Sequence, residues 1–192
     1  MRKGAILCGC VLLVLFALVS SAFAVEITAD MITKEGKIVR SGKIYVKDTK
    51  IRVEQGGTPI YSVVRGDKGV IWQINAYEKT YIEAKLTPEL KPFVEEKFPG
   101  EVSRKLLGAE TIDGHPTKKY EVTIKRGKAT ETYHQWFATD IKFPVKVANV
   151  NGKWSREYKN IKKGAADSLF DLPKGAEKDL TSAPDVLGGG GH

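Results

Sequence analysis

A catalytic or metal site in this 192-residue chain would have to come from three histidines, two cysteines and 23 acidic residues. Their spacing assembles none. His115 sits in a Gly-His-Pro turn, His134 lies on a strand opposite the Tyr133/Phe137 face, and His192 is the last residue. No His-x-His or Glu-x-x-His pair occurs, so neither a metal nor a cofactor is expected. Cys8 and Cys10 both stand near the N-terminus, which excludes a disulfide framework and a Cys-ligated zinc. Gly-x-Ser-x-Gly is absent, and Asp113, Glu131 and Asp140 carry no signal that would pair them. Gly66-Asp67-Lys68-Gly69 lacks a Gly-Lys-Ser/Thr ending and a following helix, so it reads as a hairpin turn and not a phosphate loop. An enzyme is not expected.

What remains is apolar chemistry. Residues 1–24 read as a secretory signal peptide: Arg2-Lys3, an apolar run from Ala5 to Val19, then the small-x-small site Ala22-Phe23-Ala24 with cleavage expected after Ala24. The run is too short for a stable membrane anchor, and no second one follows, so the mature chain is expected in the periplasm without a transmembrane anchor. The formal charge of +8 suits anionic headgroups or an acidic partner. Export and the lack of a fitting motif argue against nucleic acid.

The elements that would position an apolar site follow a period of two. Ile27, Ala29 and Met31 alternate with polar residues, as do Ile44 and Val46, Ile51 and Val53, and Tyr120, Val122 and Ile124. Turn clusters such as Lys47-Asp48-Thr49-Lys50, Asp113-Gly114 and Asn151-Gly152 separate them, the last a two-residue hairpin signal. One stretch departs from this pattern. Thr87 and Pro88 open a segment in which Leu90, Phe93, Val94 and Phe98 fall at helical spacing, which predicts a short helix kinked at Pro92 and ended by Pro99-Gly100. The fold class expected is mainly β: an antiparallel, half-open β-barrel of about ten or eleven strands, with one short helical lid between strands six and seven. The domain is expected over 25–175, followed by a disordered Gly-rich tail over 176–192.

Three stretches in order carry a resemblance: Gly42-Lys43-Ile44-Tyr45-Val46-Lys47 with Lys50-Ile51-Arg52-Val53; Val63-Val64-Arg65-Gly66-Asp67-Lys68-Gly69-Val70-Ile71-Trp72; and Ser168-Leu169-Phe170-Asp171-Leu172-Pro173-Lys174-Gly175. Together they resemble the LolA/LolB superfamily of periplasmic lipoprotein carriers. The resemblance implies an incomplete barrel with a lid over an apolar cavity. Two family features are missing: Val25 runs straight into a strand where the carriers open with a helix, and Asp48-Thr49 stands where they place an Arg-Pro pair whose Arg helps hold the lid shut.

Strand parity gives a candidate cavity lining. It comprises Ile44, Val46, Ile51 and Val53, then Trp72 and Ile74, then Tyr120, Val122, Tyr133 and Phe137, with Phe93 and Val94 from the lid. Arg40 shares a face with Ile38 and Gly42, either as an inward charge or snorkelling at the edge. A short helix leaves much of such a face uncovered. The first expectation is therefore a carrier for a lipid, the acyl chain of a lipoprotein or another apolar ligand. The second is an envelope interaction or sensory module that binds a protein partner through the same fold.

Overall fold

The computed structural model describes residues 25–180; the expected signal peptide and residues 181–192 of the expected tail lie outside the described residues. Twelve strands form one sheet. They are β1 (Glu26–Glu35), β2 (Ile38–Lys47), β3 (Lys50–Gln55), β4 (Ile60–Arg65), β5 (Val70–Asn75), β6 (Thr80–Lys85), β7 (Glu101–Ile112), β8 (His115–Arg126), β9 (Ala129–Ala138), β10 (Phe143–Asn149), β11 (Trp154–Lys163) and β12 (Glu177–Lys178). Their spatial order is β12-β6-β5-β4-β3-β2-β1-β11-β10-β9-β8-β7. Every pairing is antiparallel except that of β12 with β6. The sheet is open: β7 and β12 are its two edges.

Two meanders, β1 to β6 and β7 to β11, are joined at their ends by β1 pairing with β11. This topology sets the position of the one long connection. β6 and β7 are consecutive in sequence but lie near opposite edges of the sheet. Residues 86–100 must therefore cross from one side to the other. A connection of that length without regular structure is uncommon unless it has a task.

One face of the sheet is concave. A single continuous cluster there contains Ile71 of β5 and Phe143 of β10, six places apart in strand order, along with Met31, Ile44, Val64 and Tyr158. Only a curled sheet brings strands so distant into one core. On the opposite, convex face Tyr61, Val63, Trp72 and Ile74 pack under Phe170, which lies in a 3₁₀ turn over Asp167–Phe170. Arg65 holds that turn down, donating to the Phe170 carbonyl at 3.1 Å, and Arg52 donates to the Leu169 carbonyl at 3.0 Å. At Gly42 the backbones of β2 and β3 leave no room for a side chain, since a Cβ there would lie 2.0 Å from the Glu54 carbonyl oxygen.

Three sequence expectations are corrected in detail. The lid is not a helix. Only a 3₁₀ turn over Pro88–Leu90 forms, and Lys91 adopts an extended backbone with ψ 128° because a residue before proline is driven from the helical region. Pro92 also has no N–H to continue the ladder. The strand count is twelve, because Glu177–Lys178, expected within the disordered tail, pair with Thr80 and Tyr81. The Asn151-Gly152 hairpin has a loop of residues 150–153, since the Asn149 side chain captures the Trp154 N–H at 2.9 Å. The Asp113-Gly114 turn is a two-residue one, with φ of 50° and 81°. The mainly β, half-open barrel itself is the fold observed.

Candidate binding site beneath a strap

Residues 86–100 form a strap across the concave face. Its apolar side chains point inward: Leu86, Leu90 and Val94 join the cluster of Ile44, Val46 and Ile51. Phe93 and Phe98 join Val122, Ile124, Tyr133, Val147 and Trp154. Glu95, Glu96 and Lys97 stay exposed. The spacing read as a helical stripe is thus satisfied by an irregular chain in which the same residues face the core.

The second cluster is aromatic. Phe93 stacks on Phe98 with centroids 4.4 Å apart, and Tyr133 meets Phe93, Phe98 and Trp154 edge-on. Trp154 Nε1 is buried with no hydrogen-bond partner. An unpaired buried donor is costly, and it leaves this packed aromatic cluster with a polar group that an acceptor oxygen would satisfy. Burial raises the Tyr133 hydroxyl far above its ordinary pKa, and its hydrogen bond to Glu131 adds to this, so it stays a donor at any physiological pH.

A polar latch ties the strap down at one end. Arg104 of β7 binds Glu101 bidentately, Nε at 2.8 Å and a terminal nitrogen at 2.7 Å. It also donates to the fully buried Gln135 Oε1 at 2.8 Å and to the strap carbonyl of Glu96. Gln135 Nε2 donates to the Glu95 carbonyl at 3.1 Å, and Glu101 accepts the Phe98 N–H at 3.1 Å. Burial pushes the Glu101 carboxyl up, but the Arg104 and Phe98 hydrogen bonds outweigh it and hold its pKa below the usual range. Three side chains from β7 and β9 therefore grip three backbone groups of the strap, the Glu95 and Glu96 carbonyls and the Phe98 N–H. Nothing in the sequence singled out Arg104 or Gln135: each occupies a strand position whose partners come from a distant segment.

The twelve expected lining residues divide. Ile44, Val46, Ile51, Val53 and Val94 lie in the first concave cluster, and Phe93, Tyr120, Val122 and Tyr133 in the second. Phe137 is buried on the same face as Tyr133 by alternation along β9. Trp72 and Ile74 belong to the convex cluster under Phe170 and are removed from the site. Parity failed there because β5 is apolar on both faces, with Ile71 pointing to the concave side. The expectation of a face left largely uncovered is also corrected, since the strap packs against both concave clusters. Arg40 stands near the N-terminal end of β2, half-exposed and paired with Glu35 at 2.9 Å.

A separate groove of about 510 Å³ lies around Gly42. Asp30, Lys43, Glu54, Lys159 and Asn160 are among its lining residues, and it holds none of the expected lining. His115 pairs with Asp140 at 2.8 Å and His134 faces Glu121, so the histidines do not converge. Among the described residues no three His, Cys, Asp or Glu side chains gather as a metal site, and no helix is long and apolar enough to cross a membrane.

Comparison with known proteins gives the fold. No family model matches the sequence, and no curated protein does. Among solved structures, a chain in the Pseudomonas aeruginosa MucA/MucB complex overlays with a TM-score of 0.52 at 12% identity, covering 78% of this chain. This chain spans little more than half, 56%, of that one. A putative outer membrane lipoprotein-sorting protein domain from Vibrio parahaemolyticus overlays at 0.40 with 11% identity, over 76% of this chain and 89% of its own. A LolA superfamily protein from Nitrosomonas europaea overlays at 0.35 with 13% identity, over 77% and 90%. The overlay above 0.5 with a chain of the MucA/MucB complex shows a shared fold and nothing more: an open, curled antiparallel sheet.

Proposed function

We propose that this chain is a binding protein of the cell envelope that holds an acyl chain between the strap and the concave sheet, as carrier for a lipid, an acylated protein or another apolar ligand. The observation that carries this reading is the latched strap: an irregular, apolar segment lies over a continuous apolar face and is tied at one end by a few polar contacts.

Binding exchanges one apolar occupant for another. The strap's five apolar side chains contribute roughly 10 kcal/mol of gross transfer energy if each supplies about 2. An acyl chain of about fourteen methylenes supplies roughly 11 kcal/mol at 0.8 per group. The two are close enough that a ligand can replace the strap's contacts without a large net cost. The orphaned Trp154 N–H then offers a donor to an ester or carboxyl oxygen. Secretion to the periplasm, read from the N-terminal sequence, fits such a role.

The test is native mass spectrometry on protein purified from its own envelope, with titration of a fluorescent fatty acid. A retained lipid mass, or saturable probe binding competed by unlabelled fatty acid, is the expected result. Absence of both refutes the reading. A second reading, docking of another envelope protein, is favoured by the overlay with a chain of the MucA/MucB complex. A stable protein partner retrieved with an empty concave face would favour it.

A further inference from the structure

The two ends of the half-barrel differ in a way the strap does not explain. The turns β1–β2, β3–β4, β5–β6, β8–β9 and β10–β11 lie along one rim, with the start of β7 beside them. Six of the exposed large apolar side chains stand on this rim: Ile38, Val39, Ile60, Tyr77, Val102 and Val150. Tyr77 is 86% exposed at the tip of its turn. Of the remaining three, Leu106 and Leu107 lie on the edge strand β7 and Leu180 follows β12, and none stands in a turn of the opposite rim.

Charge follows the same division. The turns of the apolar rim carry Lys37, Lys79, Lys128 and Lys153 against the single carboxylate Glu78. Among the described residues none of these four lysines forms an ion pair, and all are exposed. The turns of the opposite rim carry Asp48, Asp67, Asp113 and Asp140 against Lys68 and Lys142. Apolar tips flanked by unpaired lysines along an arc do not form a pocket for one rigid partner. Side chains that each insert singly beside a cation fit a deformable apolar surface beneath a layer of negative charge. An exposed tyrosine is suited to that interface.

We propose that this rim docks on the surface of an anionic lipid bilayer. The proposal goes beyond the strap reading and rests on the outer surface alone. A protein that bound vesicles but no free fatty acid would fail the former reading and keep this one.

The experiment is flotation of the protein, purified from cells that make it, with two kinds of vesicle. One is phosphatidylcholine alone and the other contains about 30% phosphatidylglycerol. Partition into the anionic vesicles alone, lost at high salt, is expected. Each rim lysine should be worth about fivefold in partition, so Lys37→Glu/Lys128→Glu/Lys153→Glu should lower it by roughly a hundredfold or more. Tyr77→Ser/Val39→Ser should lower it at unchanged charge. The control is Lys142→Glu/Lys162→Glu/Lys163→Glu, the same charge change at the other rim, which should retain most of the binding. No partition into anionic vesicles at low salt overturns the proposal. So does an equal loss from both triple variants, which would show attraction by net charge without a docking face.

Discussion

Replacing Arg104 by leucine tests the latch directly. The guanidinium supplies two bonds to Glu101, one to Gln135 and one to the Glu96 carbonyl. Its loss leaves Glu101, whose side chain is 12% exposed, with only the Phe98 N–H, and leaves the buried Gln135 oxygen unpaired. Breaking a buried pair by removing one partner costs about 3 kcal/mol or more. Strap opening returns Glu101 and Gln135 to water, so most of that cost falls on the closed state and opening becomes easier by about the same amount. That is roughly a 150-fold gain in the open population. Native-state hydrogen exchange reads it: the amides of Val94 and Phe98 should exchange about a hundredfold faster, while those of Val63 and Ile71 in the sheet keep their protection. If the open form is the one that takes up an acyl chain, fluorescent fatty acid should bind more tightly by a comparable factor until the open state dominates. Arg104→Lys should fall between, because an ammonium cannot reproduce the planar fork. Unchanged exchange at Phe98 would refute the latch. Faster exchange without tighter probe binding would refute the link between strap and ligand.

Three further outcomes follow from other contacts. Gly42→Ala should destabilise the fold by about 3 kcal/mol or more, because its Cβ would meet the Glu54 backbone oxygen and force β2 from β3; thermal unfolding should show a drop of roughly 6–12 °C. Phe170→Ala should cost about 3–5 kcal/mol in denaturant unfolding, since the ring is fully buried over Trp72 and Ile74. The third outcome is a pH dependence in two steps. The Glu101 pKa is lowered in the folded chain, so its contribution is complete above the ordinary glutamate value of 4.5 and fades as pH falls through the lower folded value; strap exchange should quicken in that window. Hydrogen bonds from Lys47 and Lys50 hold Asp167 down to about 2 from 3.8, so pepsin cleavage around Leu169 and Phe170 should rise only as pH drops through that lower range.

Much of the architecture is local, and the sequence alone determined it. Period-two alternation and turn residues such as Asp113-Gly114 are rules over a few neighbours, so the meander, its antiparallel sense and most concave positions were readable, Ile44, Val46, Ile51 and Val122 among them. The apolar residues of the strap were readable too, though not its conformation: Leu90, Phe93, Val94 and Phe98 fit helical spacing, and Pro92 overrides it. Only the tertiary structure decided the rest. Trp72 and Ile74 turned outward because β5 is greasy on both faces and the covering Phe170 arrives from about a hundred residues later. Arg104 and Gln135 became a latch because the curl of the sheet and the crossing of residues 86–100 set Glu95, Glu96 and Phe98 above them. Side-chain direction along a strand is fixed by neighbours in sequence, whereas what lies opposite it is fixed by how the sheet closes. The concave face was therefore legible, and its cover and clasp were not.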